Sequence, residues 1–239
     1  MMNAAFFAMG AFSDMKRRVC ISGILILGIC FCFLCRYSGK KSVQPVSSQE
    51  TEEEEPPKVA LTFDDGPSRE YTPKLLDGLK ERNILASFFL MGKNIEGNEE
   101  LVQRIQEEGH LIGNHTYNHV CLNQISDRQA KEEIEKTSNK IYEITGEYPV
   151  FIRPPFGEWK KELELSVPMF PVFWDVDTLD WKSKNVSQVL RIVDRQVHED
   201  SIILMHDGYE TSVEAAFEII DRLSAEGYEF VTVDRLLIL

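Results

Sequence analysis

A strand-forming run, a pair of acids and a turn meet in the segment VALTFDDGP, residues 59–67. Its first five residues are apolar or β-branched and predict a buried strand. Asp64 and Asp65 follow at once, and the Gly66–Pro67 pair is typical of a turn. The two acids therefore lie at the carboxyl end of a core strand, where neighbouring carboxylates repel one another unless a cation or a base is close by.

Short apolar runs alternate with longer amphipathic stretches along the rest of the chain. Predicted strands cover residues 59–63, 86–91, 110–113, 150–152, 171–174, 201–205 and 229–233. Predicted helices cover residues 73–82, 99–109, 126–146, 186–197 and 212–227. Because strand–helix repetition joins parallel strands through helices, the predicted fold class is α/β, with a parallel sheet or barrel.

Reactive polar residues follow directly on five of these predicted strands. In chain order they are Asp64 and Asp65, then Asn114, His115 and His119, then Arg153, then Asp175, Asp177 and Asp180, and then His206. The carboxyl ends of parallel strands converge on one face, and α/β active sites are built there. The five clusters therefore predict one shared site.

The two histidines of HTYNH suggest a metal. His115 and His119 stand four residues apart, a spacing that places both imidazoles on one face of a helical turn, within reach of one ion. With one carboxylate as a third ligand, coordination positions stay open, as in catalytic metal sites. Water bound in such a site becomes a nucleophile near neutral pH. The sequence offers Asp64 as the general base and His206 as the general acid.

Two further residues would tune the base and the acid. Arg153 could pair with Asp64 and hold it ionised, and Asp180 could accept the second ring N–H of His206 and raise its pKa. Purely structural interpretations stay open for each of them. DDGP is a good turn sequence, Arg153 could form a structural ion pair, and His206 could be a hydrogen-bonded core histidine.

Five segments, in order, resemble the motifs of the polysaccharide deacetylases with a NodB homology domain, carbohydrate esterase family 4. They are TFDDGP (62–67), HTYNH (115–119), RPPFG (153–157), DTLDW (177–181) and LMH (204–206). The resemblance covers residues 58–239 and implies a distorted (β/α) barrel of the NodB type with fewer than eight full repeats.

The resemblance also implies a role for each matching residue. The metal ligands would be Asp65, His115 and His119, the base Asp64, and the acid His206. Arg153 would tether Asp64, Asp180 would orient His206, and Trp181 and Leu204 would line a pocket for the acetyl methyl group. Trp181 could equally be a core aromatic. The cofactor implied is one divalent metal ion, usually zinc, although a His₂Asp set also accepts cobalt, nickel or iron.

Two features depart from the family pattern. The third motif usually carries Tyr at the substrate-binding position where this chain has Phe156. In the family the backbone N–H at this position stabilises the oxyanion, and a backbone donor survives the change to Phe. The stretch between Gly157 and Phe173 is short, so we expect one wall of the substrate groove to be more open.

The first 57 residues differ in character from the rest. Basic residues 16–18 precede an uncharged apolar run, residues 19–35, whose length is at the short end of what spans a bilayer. We predict a cytoplasmic N-terminus (1–18), a transmembrane signal anchor (19–36) and a disordered acidic linker (37–57) before the deacetylase domain (58–239). This arrangement predicts a single-pass protein of the cell membrane with an extracellular catalytic domain. A cleaved signal peptide is the alternative, and Met15 is a second candidate start beside Met1.

Charge and cysteine content narrow the function. The net charge of −13 excludes a general nucleic-acid binder, because phosphate binding needs a basic surface. Of the five cysteines only Cys121 lies in the predicted domain, which therefore has no internal disulfide. The leading hypothesis is an N-deacetylase acting on a cell-wall polysaccharide, peptidoglycan first. The alternatives are the same chemistry on chitooligosaccharide, exopolysaccharide or acetyl-xylan, and an inactive glycan-binding module tethered to the membrane.

Overall fold

The computed structural model of this protein describes residues 55–161 and 163–237. The predicted cytoplasmic N-terminus, the predicted signal anchor and residues 37–54 of the predicted linker lie outside the described residues. Within the part that is described, no helix combines the length and the apolar character needed to cross a membrane.

Strands and helices alternate along the described residues. The strands are β1 (Lys58–Asp64), β2 (Ser87–Leu90), β3 (Leu111–Asn114), β4 (Phe151–Ile152), β5 (Phe170–Pro171), β6 (Val176–Asp177), β7 (Ser201–His206) and β8 (Glu229–Phe230). The helices are α1 (Thr72–Glu81), α2 (Gly92–Ile95), α3 (Glu99–Glu107), α4 (Asp127–Thr145), α5 (Asp180–Ser183), α6 (Val186–Gln196), α7 (Glu210–Ala225) and α8 (Val233–Leu236).

The strands form one parallel sheet in the order β5-β4-β3-β2-β1-β7-β6, and β8 pairs with the first two residues of β1. Every pairing among the described strands is parallel. The sheet curls into a half-barrel, in which β5 and β6 are the two ends of the strand order. The predicted α/β class and the distorted, incomplete barrel are therefore confirmed.

The central strand β1 is buried on both faces, as its almost continuous apolar run predicts. Val59, Leu61 and Phe63 pack into the larger cluster of apolar side chains, which contains residues of the surrounding helices. Ala60 points the other way, into a smaller cluster that contains Phe89. Since β1 has apolar neighbours on both faces, its carboxyl end is held in a fixed position.

The longest helix of the first half, α4, follows its sequence signals. Ser126 caps it through a capping box with Gln129, and Gly146 ends it in the left-handed region at φ 76°. The predicted boundaries of 126–146 are thus confirmed by the two residues that flank the helix. The side chain of Ser126 binds a backbone N–H group that the first turn of the helix would otherwise leave unpaired.

Two predicted strands are wrong in extent. The run at 171–174 is not one strand, because β5 ends at Pro171 and β6 begins at Val176. The carbonyl groups between them accept hydrogen bonds from the guanidinium group of Arg153 instead of from a neighbouring strand. The run at 229–233 ends as a strand at Phe230, and α8 begins at Val233, whose N–H group is bound by a side-chain hydroxyl group.

We predict that Leu61→Ala lowers the free energy of unfolding by about 2–5 kcal/mol, because it leaves a cavity in the centre of a fully buried strand. Denaturant unfolding of the full chain measures this loss. The matched control is Leu237→Ala at an exposed position, which should change the same quantity by less than about 0.5 kcal/mol. Equal effects of the two changes would contradict the central place of β1.

Candidate functional site

The carboxyl ends of the strands bring the predicted polar clusters to one edge of the sheet. Asp64 is the last residue of β1, and its register partner on β7 is His206. His115 directly follows the last residue of β3, and Arg153 directly follows β4. Parallel pairing alone therefore delivers four of the predicted site residues to the same edge.

Three of the predicted site residues could together hold a metal ion. Asp65, His115 and His119 each offer a ligand atom, and these atoms lie within 4.8 Å of one another. Oδ1 of Asp65 lies 3.5 Å from Nε2 of His115 and 3.7 Å from Nε2 of His119. The same Oδ1 atom is buried without a hydrogen-bond partner among the described residues. A carboxylate oxygen in that state, facing two imidazole nitrogens, fits a bound cation.

The prediction that HTYNH forms a helical turn is wrong. Thr116 and His119 both have a φ of 60°, in the left-handed region, and the segment is a loop. The side chain of Asn114 accepts the N–H of Thr116, and the carboxylate of Glu133 accepts the next two backbone N–H groups. These backbone N–H groups therefore bind side-chain oxygens, whereas in a helix they would bind backbone carbonyl oxygens. The loop still places the two imidazole rings of His115 and His119 with their centroids 5.0 Å apart.

One imidazole of this trio has its ring orientation fixed by the backbone. Nδ1 of His115 lies 2.6 Å from the carbonyl oxygen of Arg153. A carbonyl oxygen only accepts, so Nδ1 carries the proton and Nε2 keeps its lone pair for a ligand. The second imidazole belongs to His119, whose pKa is lowered by burial first and by neighbouring His115 second. Both effects favour the neutral form that binds metals.

Asp64 is held by a buried guanidinium group. Nη1 of Arg153 donates to Oδ1 of Asp64 over 2.9 Å and to the hydroxyl oxygen of Thr62 over 2.6 Å. Arg153 is fully buried, and Nη2 donates to the carbonyl oxygen of Phe173. Burial lowers the pKa of Arg153, while the charge of Asp64 opposes that shift. Oδ2 of Asp64 is directed elsewhere and lies 3.8 Å from Nε2 of His115.

His206 and Asp180 form a second charged pair. Nδ1 of His206 lies 2.9 Å from Oδ1 of Asp180, and the backbone N–H of His206 donates to Oδ2. The hydroxyl group of Ser212 also donates to Oδ2. Burial by itself lowers the pKa of His206, but the hydrogen bond and charge of Asp180, helped by Asp64 and Asp65, raise it to about 9. At neutral pH the imidazole is therefore protonated.

Aromatic side chains border this group of residues. Phe156 is 65% exposed, and its ring meets that of His119 edge-on with centroids 4.8 Å apart. Trp181 is 46% exposed, so it is not the core aromatic that the alternative interpretation required. Leu204, by contrast, is buried within β7. Phe156 therefore presents apolar surface beside His119, and Trp181 presents apolar surface at the position after Asp180 in the chain.

Comparison with known proteins gives the family. The family model for polysaccharide deacetylase matches residues 51–167. The peptidoglycan-N-acetylglucosamine deacetylase PgdA of Listeria monocytogenes is 38% identical over 179 residues, covering 75% of this chain and 38% of PgdA. The solved structure of the Bacillus subtilis peptidoglycan deacetylase PdaC has a TM-score of 0.73 and 39% identity, covering 76% of this chain and 90% of that one. The chain belongs to the polysaccharide deacetylase family.

The full PdaC sequence, named as a peptidoglycan-N-acetylmuramic acid deacetylase, is 38% identical over 197 residues, covering 82% of this chain and 42% of PdaC. This chain therefore spans about two-fifths of the length of PgdA and of PdaC. The match to a solved structure over most of its chain confirms the family resemblance that the five motifs carry.

Some predicted cluster residues bind the backbone instead of joining the site. Asn114 donates to the carbonyl oxygen of Ile134, Asp175 accepts the N–H of Ile202, and Asp177 accepts the N–H of Leu179. They lie at strand ends for the same reason as the site residues, but their side chains bind backbone groups of a helix, a strand and a turn. A position directly after a strand therefore predicts that a residue lies at this edge of the sheet. It does not predict whether the side chain joins the site or binds the backbone.

Other supporting residues escaped the sequence interpretation. Thr62 lies within the first motif, two residues before Asp64, and its alternation along β1 could have indicated that the two side chains share a face. Ser212 and Glu133 reach the site from α7 and α4, at separations of 32 and 15 residues from the groups they bind. No local sequence signal marks contacts of that length.

We predict that Asp180→Asn lowers the pKa of His206 from about 9 towards its ordinary range, because the variant removes the charge that raises it. NMR titration of the imidazole signals in metal-free protein measures this shift. In the native chain, the raised pKa stabilises the fold fully below pH 6.5, and this contribution is lost as the pH rises through about 9. Asp180→Asn should remove that alkaline loss.

A His206 signal that still titrates near 9 in the Asp180→Asn variant would contradict this assignment of the shift to Asp180. An unchanged alkaline stability profile in the variant would contradict it as well.

Proposed function

We propose that this chain is a metal-dependent hydrolase that removes N-acetyl groups from an extracellular polysaccharide, with N-acetylglucosamine or N-acetylmuramic acid residues of peptidoglycan as its substrate. The observation that carries the proposal is the cluster of Asp65, His115 and His119 beside two tuned pairs, Asp64–Arg153 and His206–Asp180. The similarity to PgdA and PdaC, which are both named as peptidoglycan deacetylases, supports the choice of substrate.

Asp65, His115 and His119 would hold one divalent ion, with zinc favoured by a His₂Asp set and cobalt, nickel or iron as alternatives. When bound, the metal supplies a Lewis acid and a water of lowered pKa. The fit rests on the unpartnered, buried Oδ1 of Asp65 and on the proton that the Arg153 carbonyl holds on Nδ1 of His115.

Asp64 would act as the general base. Its Oδ1 atom is occupied by Arg153, whose positive charge favours the ionised carboxylate, and Oδ2 stays available on the side of the metal-binding residues. Oδ2 would take the proton from the water that attacks the amide carbonyl carbon. The new C–O bond forms in this step, and the C–N bond breaks later, when the leaving nitrogen is protonated, so this proton is the first of the two that the reaction moves.

His206 would act as the general acid. With its pKa raised to about 9 it is protonated at neutral pH and can donate that proton to the departing amine nitrogen. Asp180 holds Nδ1, so Nε2 is the atom that would donate. The products are acetate and a free amino group on the sugar, and the two proton transfers balance the hydrolysis.

The surrounding side chains would position the acetyl group. Trp181 and Leu204 would line the pocket for its methyl group, and the backbone N–H of Phe156 would stabilise the oxyanion. Phe156 offers a bare aromatic face at 65% exposure, and aromatic faces suit the apolar side of a sugar ring. Loss of the usual tyrosine hydroxyl group removes one polar contact with the substrate and leaves the backbone donor in place.

The location of the enzyme is also a proposal. The apolar run at 19–35 would anchor the chain in the cell membrane once, and the acidic residues 37–57 would space the domain from the surface. The catalytic domain would then face the wall outside the cell. Protease accessibility of the domain in intact cells tests this arrangement, and protection there would contradict it.

The deciding assay measures acetate released by the purified full chain from isolated peptidoglycan, chitooligosaccharide and acetyl-xylan. We expect release from peptidoglycan, loss of release with a chelator, and recovery when Zn²⁺ is restored. A preference for acetyl-xylan would contradict the substrate, and full activity in chelator would contradict the metal. Binding to the wall without any acetate release would favour the inactive glycan-binding module.

We predict that Asp64→Asn and His206→Ala each lower kcat by about 10²–10⁴-fold, because each variant removes one of the two proton-transfer groups. Both variants should still bind Zn²⁺, since neither residue belongs to the ligand set. His198→Ala, at an exposed histidine, is the matched control and should keep native activity. Unchanged acetate release in either catalytic variant would remove that residue from the mechanism.

A further inference from the structure

A buried acid outside the proposed mechanism lies directly after His206. Asp207 is 1% exposed, and burial raises the pKa of its carboxyl group to about 6. Its Oδ2 atom accepts a hydrogen bond from the hydroxyl group of Thr72, and Oδ1 has no partner among the described residues. The Thr72 hydroxyl oxygen in turn accepts the backbone N–H of Ser68 over 2.7 Å. A short chain of hydrogen bonds thus runs from β7 to the turn after β1.

The carboxylate of Asp207 also packs against the backbone of that turn. A Cβ atom added at Gly66 would lie 2.6 Å from Oδ2 and 3.0 Å from Oδ1 of Asp207. A larger residue at position 66 would therefore displace the carboxylate, so the close approach of the turn to Asp207 depends on glycine at this position. Asp207 fixes the turn through this close approach and through Thr72 together.

The turn in question carries a strained metal-ligand candidate. Asp65 has a φ of 71°, a left-handed conformation that costs a non-glycine residue about 1–3 kcal/mol unless its surroundings maintain it. On the side of α2, Asn94 donates to the carbonyl oxygen of Asp65 over 2.6 Å, and the N–H of Met91 donates to that of Gly66. Asp207, which directly follows β7, also contacts the turn. The turn is therefore held by two different parts of the chain.

Packing alone does not account for Asp207. A buried carboxylate with one oxygen unpartnered costs free energy that an apolar side chain would not. A buried polar group that is retained at such a cost usually fixes a geometry. The geometry it contacts is the turn that ends the first motif.

We propose that Asp207 and Thr72 are positioning residues that hold residues 65–68 so that the carboxylate of Asp65 points at His115 and His119. The inference rests on the proposed function for the identity of the metal ligands. It assigns a role in metal affinity to two residues whose side chains belong neither to the ligand set nor to the two proton-transfer groups of the mechanism.

The test compares Zn²⁺ and Co²⁺ binding by the full chain and by the variants Asp207→Asn and Thr72→Val. Each variant keeps the size of the side chain and removes the charge or the hydroxyl group. We expect both to weaken Zn²⁺ binding by about tenfold or more, as outer residues of metal sites do. The visible spectrum of bound Co²⁺ should also change, because it reports the geometry of the ligands.

Two controls separate positioning from general stability. Thr72→Ser keeps the hydroxyl group and should restore native affinity and the native Co²⁺ spectrum. Asp234→Asn removes a part-buried acid in α8, beside the cavity lined by Leu85 and His110, and should leave both readouts unchanged. Thermal unfolding of every variant shows whether each one is folded.

Folded Asp207→Asn that binds Zn²⁺ as tightly as the native chain, with an unchanged Co²⁺ spectrum, would overturn the proposal, even if its Tm falls. Should Asp207→Asn fail to fold, Thr72→Val decides by the same two readouts. A native chain that binds Zn²⁺ tightly but releases no acetate would refute the proposed function alone. A native chain that does both, with variants that bind equally well, would refute only the positioning role.

Discussion

The guanidinium group of Arg153 is the interaction on which the site depends. It is fully buried, so its N–H groups must find acceptors within the protein. It binds Asp64 and Thr62 on the central strand and two carbonyl groups after β5, while its own carbonyl oxygen fixes His115. Arg153 therefore links the proposed base, a proposed metal ligand and the backbone that follows β5. Removing it would leave the carboxylate of Asp64 buried without its partner, which is far more costly than losing a surface ion pair.

The same group explains where the barrel stops being regular. Backbone carbonyl groups at 172 and 173 that bind a side chain cannot also bind a neighbouring strand. The apolar pattern PVFW predicts a strand there because periodicity reports burial and not the identity of the hydrogen-bond donor. The chain between β5 and β6 therefore leaves the sheet where its carbonyl groups bind the buried guanidinium group.

Much of the architecture could be predicted from the sequence, because apolar runs and caps are local. The strand–helix alternation, the capped helix at 126–146 and the convergence of acids and histidines at strand ends all follow from neighbouring residues. The loop at HTYNH could not be predicted, because its left-handed residues depend on hydrogen bonds to Glu133, which lies in α4. Ser212 and Asp207 were missed for the same reason. Their partners lie far away along the chain and meet only after folding.

The common direction of the strands gives the domain two unlike ends. Lys58 starts the central strand at one end, and Asp64 finishes it at the other, six residues later and roughly 20 Å away. The candidate site and the exposed Phe156 and Trp181 therefore lie at the end of the domain opposite to the one where the central strand begins, so a large ligand reaches the site without meeting the amino ends of the strands.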